Sequence, residues 1–144
     1  MKDSLEEIAV DTDDTSRPLV MVDDEDIDFR VAERYYQRTV LTNPFIRFDR
    51  GEPFLEHLAR VKAGEAPLPA LVFMDINMPG MDGFEVIAAM REDPLFRSIP
   101  PVAMFSSSSS PRDMQRAREI GAAAYLVKPY NPRQYADLFA AIAA

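Results

Sequence analysis

Five strand–helix units in succession predict an α/β fold: a doubly wound (βα)5 arrangement with a five-stranded parallel sheet covered by helices on both faces. Three observations carry this. The strand segments are short apolar runs, Leu71-Val72-Phe73-Met74 and Pro101 to Phe105 among them, as strands buried on both faces require. Between them, apolar residues recur at helical spacing, as in Tyr135, Leu138, Phe139 and Ile142. The 144 residues, 47% of them hydrophobic, suffice for one domain with an ordinary core. Right-handed crossovers restrict the topology, and the favoured strand order is 2-1-3-4-5, with a switch point between strands one and three.

Each element has its own signal. Residues 1–17 carry Asp3, Glu6, Glu7, Asp11, Asp13 and Asp14 against Lys2 and Arg17, half of the net charge of −8. An acidic, solvated and flexible N-terminal tail is expected there. Ser4 and Glu7 have capping-box spacing for a short helix whose face of Leu5, Ile8 and Ala9 would need a packing partner. Pro18 to Val22 is the first strand and ends in Asp23-Asp24-Glu25-Asp26; the first helix is predicted over Ile27 to Val40. Phe45 to Phe48 is a brief second strand, and Gly51 to Gly64 a second helix carrying His57, expected at the surface. The third strand runs from Leu71 into Asp75. Asp82 with Glu85 caps the third helix, which Asp93-Pro94 ends. Pro101 to Phe105 precedes five serines, Ser106 to Ser110. Ser110, Pro111 and Asp113 start a thinly apolar fourth helix that Gly121 stops. Ala123 to Val127 is the fifth strand, followed by Lys128-Pro129, and Asn131 with Gln134 opens the last helix.

Composition excludes several function classes. There is no cysteine, hence no disulfide and no thiolate metal site. No apolar run approaches the roughly 20 residues that span a membrane. Met1 to Glu7 lacks the apolar core of a secretory signal. A cytoplasmic protein with no membrane partner is expected. The negative net charge argues against a nucleic-acid surface, which needs clustered Lys and Arg.

In open parallel sheets the site lies outside the carboxyl ends of the strands, at the switch point. Strand one ends at Asp23-Asp24 and strand three at Asp75, so three carboxylates meet there. Two such charges about 4 Å apart repel by about 4 kcal/mol at an effective dielectric of about 20. A positive partner is required. Hard oxygen donors with few protein ligands favour Mg²⁺, which often binds together with phosphate oxygens. Lys128, ending strand five, reaches the same crevice. Mg²⁺ and Lys128 together balance three aspartates and prepare one carboxylate to accept a phosphoryl group. Ser106, ending strand four, offers a hydroxyl to a phosphoryl oxygen.

Four motifs in order, Val22-Asp23-Asp24-Glu25, Met74-Asp75-Ile76-Asn77-Met78-Pro79-Gly80-Met81-Asp82-Gly83, Phe105-Ser106 and Tyr125-Leu126-Val127-Lys128-Pro129, resemble the receiver domain of two-component response regulators. The resemblance covers 18–144 and implies the flavodoxin-like fold. It implies Asp75 as phosphoacceptor, with Asp23, Asp24, Asp75 and the Asn77 carbonyl holding Mg²⁺ and Lys128 touching the phosphoryl group. It further implies Ser106 as switch hydroxyl, Tyr125 as the aromatic that reorients with it, and a cis Lys128–Pro129 bond. Such a protein is a signalling phosphoacceptor that assists its own phosphorylation and dephosphorylation, rather than an enzyme. Its donor is a sensor histidine kinase or a histidine phosphotransfer protein. Asn77 and Ser108, both neutral, occupy positions that tune dephosphorylation and imply slow to moderate self-hydrolysis.

The chain ends at Ala144, shortly after the last helix, so a single-domain regulator is expected, of a kind similar to chemotaxis-type or phytochrome-associated regulators. Its output would come through helix four, strand five and helix five, used by a downstream partner or a homodimer, or it would relay or drain phosphate. Rival readings fare less well. A haloacid-dehalogenase-type phosphatase wants an acid where Asn77 stands. An FMN binder wants a Ser/Thr/Gly-rich loop where the acidic run Asp23 to Asp26 stands. A pseudo-receiver that is never phosphorylated, acting as an interaction module, is the surviving alternative.

Overall fold

The structure, a computed structural model, describes residues 1–2, 5, 8, 10–105, 110–129 and 131–143. Five strands, β1 (Leu19–Val22), β2 (Phe45–Phe48), β3 (Leu71–Asp75), β4 (Pro101–Phe105) and β5 (Ala124–Val127), form one sheet in the order β2-β1-β3-β4-β5. Every pairing is parallel. The helices are α1 (Asp26–Tyr36), α2 (Gly51–Lys62), α3 (Gly83–Glu92), α4 (Pro111–Glu119) and α5 (Gln134–Ala143), with a 3-10 turn at Pro94–Phe96. The predicted α/β fold and strand order are therefore those of the molecule.

Strand alternation divides the core into two. Val20, Val22, Val72, Met74, Ala103 and Phe105 face α2, α3 and Ala117 of α4. Leu19, Met21, Leu71, Phe73, Val102 and Met104 face α1 and α5, where Phe139 packs edge-on to Phe45 and Phe73. The central strands β1, β3 and β4 are buried along their whole length. Edge strand β2 is only half-buried. A rigid middle with apolar cover on both faces is what allows charged residues to be held just past the strand ends.

Several local expectations are met by named contacts. Asp82 and Glu85 form a reciprocal capping box on α3. Ser110 Oγ accepts from Asp113 N, 3.2 Å, with Pro111 opening α4. At Asn131 only half of the expected box forms: its N–H donates to Gln134 Oε1, 3.2 Å, but its Oδ1 accepts from Arg133 N, 3.0 Å, and α5 begins at Gln134 rather than at Pro132. The Ser4–Glu7 box lies outside the described residues.

Other expectations fail for physical reasons. The first helix stops at Tyr36, not Val40. Thr39 Oγ1 donates to the Tyr36 carbonyl, 2.7 Å, and accepts from Leu41 N, 3.2 Å, offering the chain a local turn in place of helix. Val40 is left exposed. His57 is not a surface residue: it is half-buried against the Phe48 ring, its Nε2 is buried without a partner, and burial lowers its pKa. Among the described residues no peptide bond is cis, so Lys128–Pro129 is trans, the form an X–Pro bond prefers by about 0.5–1 kcal/mol.

Where a solvated, flexible tail is expected, the described residues of the N-terminal segment make packing and backbone contacts. Lys2 pairs with the edge of β5: its N–H donates to the Ala123 carbonyl, 2.9 Å, and its carbonyl accepts from Tyr125 N, 3.0 Å. Leu5 is buried in the core beneath α1 and α5, with Ile8 and Val10 packed beside it. Arg17 donates to the Leu68 and Pro69 carbonyls, and Asn43 Nδ2 to the Arg17 carbonyl. Asp11, Asp13 and Asp14 face solvent, while Leu5, Ile8 and Val10 anchor the chain.

Candidate functional site: an acidic crevice at the strand ends

Asp23 follows β1 and Asp75 ends β3, side by side because Val22 pairs with Met74. Asp23 is fully buried and Asp75 is 2% exposed, an unusual state for carboxylates. Both are tied from behind. Asp23 Oδ1 accepts from Glu25 N, 2.9 Å, and its carbonyl accepts from Arg47 Nε, 3.0 Å. Asp75 Oδ1 accepts from Asn77 N, 3.0 Å. The loop after Asp75 turns at Gly80, whose φ is +75°, and returns to begin α3. At Gly83 a side chain would collide with the Asp75 carbonyl, so only glycine lets α3 start this close to β3.

Lys128 follows β5 and is held by its N–H, which donates to the Phe105 carbonyl, 2.7 Å. Its ammonium reaches across the crevice. Nζ donates to Asp75 Oδ2, 3.2 Å, and to Asp28 Oδ2, 3.0 Å. It also lies 3.0 Å from Asp23 Oδ2. That contact is ionic only, because Asp23 Oδ2 is buried with no hydrogen-bond partner.

One ammonium cannot neutralise this set. Burial raises Asp75 to about 7; Lys128 opposes the rise, and Asp23 adds to it. Burial likewise raises Asp23. Burial disfavours the Lys128 charge, but the carboxylates of Asp28, Asp23 and Asp75 outweigh it and raise its pKa. The lysine is thus firmly cationic, while the aspartates remain short of positive charge. Tyr135, buried on α5, is pushed up to about 12 by burial and then by Asp28 and Asp23.

This deficit is the test of fit for a cation. Oxygens of Asp23, Asp24 and Asp75 all lie within 4.8 Å of one another, with Asp24 exposed at the mouth. Asp23 Oδ2 is buried and shares the Lys128 ammonium with Asp28 and Asp75, so a further positive partner would complete its charge balance. All donors are hard oxygens, so the residues fit Mg²⁺.

The fold therefore brings together Asp23, Asp24, Asp75 and Lys128 as the sequence led one to expect. Asn77 is adjacent through its N–H and is exposed. Tyr125 is half-buried on β5 and packs toward the α2–α3 core. Ser106 and Ser108 lie outside the described residues. Sequence reasoning passed over Asp28, the second acid of the first turn of α1. An acid in a helix's first turn already has an ordinary role in complementing the dipole, so no signal in the sequence set it apart.

The sequence profile of the response regulator receiver domain matches residues 19–140. Among curated proteins, the probable methanogenesis regulatory protein FilR2 of Methanothrix harundinacea is 28% identical over 113 residues, 78% of this chain and 72% of FilR2. Response regulator Rre1 of Synechocystis is 38% identical over 65 residues, 45% of this chain; the match spans only 28% of Rre1's own length. Among solved structures, response regulator RPA3017 in red light signaling of R. palustris superposes with a TM-score of 0.76 at 28% identity, over 88% of this chain and 90% of that one. The bacteriophytochrome response regulator RtBRR superposes with a TM-score of 0.71 at 30% identity, over 89% and 78%.

Proposed function

This chain belongs to the response regulator receiver domain family, and from that premise we propose that it accepts a phosphoryl group on Asp75 from a phosphohistidine of a kinase or phosphotransfer protein. The observation that carries the reading is the placement of Asp75: buried at the end of a central strand, with Lys128 Nζ 3.2 Å away and two further aspartates converging on it.

The chemistry follows from the residues. A carboxylate oxygen of Asp75 forms an O–P bond as the donor's N–P bond breaks, and the imidazole leaves. Asp23, Asp24, Asp75 and the Asn77 carbonyl would hold Mg²⁺. When bound, the cation supplies the positive charge that keeps Asp75 ionised and offsets the phosphoryl oxygens. Lys128, charged and anchored by its own backbone, neutralises the phosphoryl group from the β5 side. Burial of Asp23 and Asp75 limits competing water. Ser106 would take a phosphoryl oxygen, with Tyr125 following it.

Output would pass through α4, β5 and α5. In support, α4 buries only Ala117 fully, with Met114 and Ile120 partly covered and Arg116 resting 4.3 Å over the Phe84 ring. So sparse an attachment lets a helix shift at low cost. The resemblance to RPA3017 and RtBRR makes a light-responsive kinase a reasonable donor class.

The direct test is to phosphorylate the protein with acetyl phosphate and Mg²⁺, reduce it with borohydride and sequence the peptides. Conversion of residue 75 to homoserine is expected. Conversion elsewhere, or none in a protein that has gained phosphate, would refute Asp75 as acceptor.

A further inference from the structure

Lys128 has three carboxylate neighbours, and two of them are committed to other work. Asp75 is the acceptor, and Asp23 belongs to the group that converges for a cation, with an oxygen that makes no hydrogen bond to the lysine. The third is Asp28, which stands outside that converging group. It nevertheless makes the shorter of the two hydrogen bonds to Nζ, 3.0 Å against 3.2 Å for Asp75.

We propose that Asp28 is a positioning residue, whose carboxylate holds the Lys128 ammonium over Asp75 while Asp23 and Asp75 change partners. A lysine is a point charge on a flexible four-carbon stem, and its direction must be fixed by what it touches. The Phe105 carbonyl fixes only its backbone. Once a cation draws on Asp23, and once Asp75 carries a phosphoryl group, the Asp28 contact is the one that stays unaltered. Asp28 is well placed for this: it sits in the first turn of α1, which packs on α5, and its side chain is 29% exposed. The contact therefore closes the crevice on the α1 side, a hundred residues from Lys128 in sequence.

The bland role for such an acid is to complement the α1 dipole. That role predicts a small loss of stability and no dependence on Lys128. The two separate in a double-mutant cycle. The inference rests on the phosphoacceptor reading of Asp75, so two measurements are needed.

The first is the initial rate of phosphoryl gain from acetyl phosphate at saturating Mg²⁺, followed by intact mass. It compares wild type, Asp28→Asn, Lys128→Arg and the double variant, each with its urea midpoint. Asp28→Asn should slow the rate about tenfold, the scale of one charge-assisted hydrogen bond at a partly exposed site. In the Lys128→Arg background it should slow it several-fold less. An unchanged rate, or an equal loss in both backgrounds, overturns the proposal.

The second needs no phosphorylation. A lysine ammonium held by two carboxylates in a crevice exchanges its protons slowly, and ¹⁵N-detected NMR of the metal-free protein should show one such signal, absent in Lys128→Arg. Its loss in Asp28→Asn supports the anchor, and its persistence unchanged overturns it. If wild type gains no phosphate while the ammonium signal depends on Asp28, the failure belongs to the phosphoacceptor reading and not to the anchor.

Discussion

Asp75 is a carboxylate that resists ionisation. In the folded chain burial raises it from 3.8 to about 7, so the folded state holds its proton more tightly than the unfolded chain. The contribution to stability is fully present below about pH 3.8 and is lost as pH rises through 7. Asp75→Asn removes that loss. In metal-free buffer above pH 7 the variant should melt about 3 °C or more above wild type, the shift that about 1 kcal/mol gives at this size. The gain should shrink toward pH 5. Thermal melts across that range decide it, and a variant that is less stable at pH 8 would contradict the electrostatic account. Asp23, Asp24, Asp75 and Lys128 were legible from sequence because each follows an apolar run, and a strand end fixes where its next residue goes. Asp28 was not, because an acid in a helix's first turn already has an ordinary explanation, and only the distance to Lys128 supplies another. His57 misled for the opposite reason: a lone imidazole beside Glu56 looks exposed until the Phe48 ring is seen packed at a tilt against it, 5.1 Å between centroids.

The N-terminal segment shows how composition conceals packing at the level of elements. Its charge suggested a solvated tail, yet Leu5 is 6% exposed within the α1–α5 core and Lys2 completes two hydrogen bonds on the β5 edge. Leu5→Ala should therefore cost about 2 kcal/mol in urea denaturation with an unchanged slope, at the low end for a buried leucine. A loose tail would leave the midpoint within about 0.5 kcal/mol of wild type. The face of Leu5 and Ile8 was visible in the sequence, but nothing local named the core it would meet. The first helix erred in the other direction. Val40 prolonged an apolar rhythm that the Thr39 side chain interrupts, and a hydroxyl's choice between helix and turn is not encoded in periodicity.

Over the whole molecule, five parallel strands deliver their carboxyl ends to one edge, and the sheet's order decides which residues meet there. Among the described residues no helix is long and apolar enough to cross a membrane. The apolar runs and helical spacings made this architecture readable, since parallel sheets admit few topologies. The surplus of negative charge it creates should make the fold cation-sensitive. At a Mg²⁺ concentration 100 times its dissociation constant, binding adds about 2.7 kcal/mol to stability. The melting temperature should rise accordingly, and should fail to rise in Asp24→Asn, whose exposed side chain can change without disturbing the core. An equal rise in the variant would place the cation elsewhere. The central claim, that this crevice exists to phosphorylate Asp75, is tested most directly by intact mass after incubation with acetyl phosphate and Mg²⁺. Wild type should gain one phosphoryl group, and Asp75→Asn and an EDTA-treated sample should gain none. A gain that survives in Asp75→Asn or in EDTA would contradict the account.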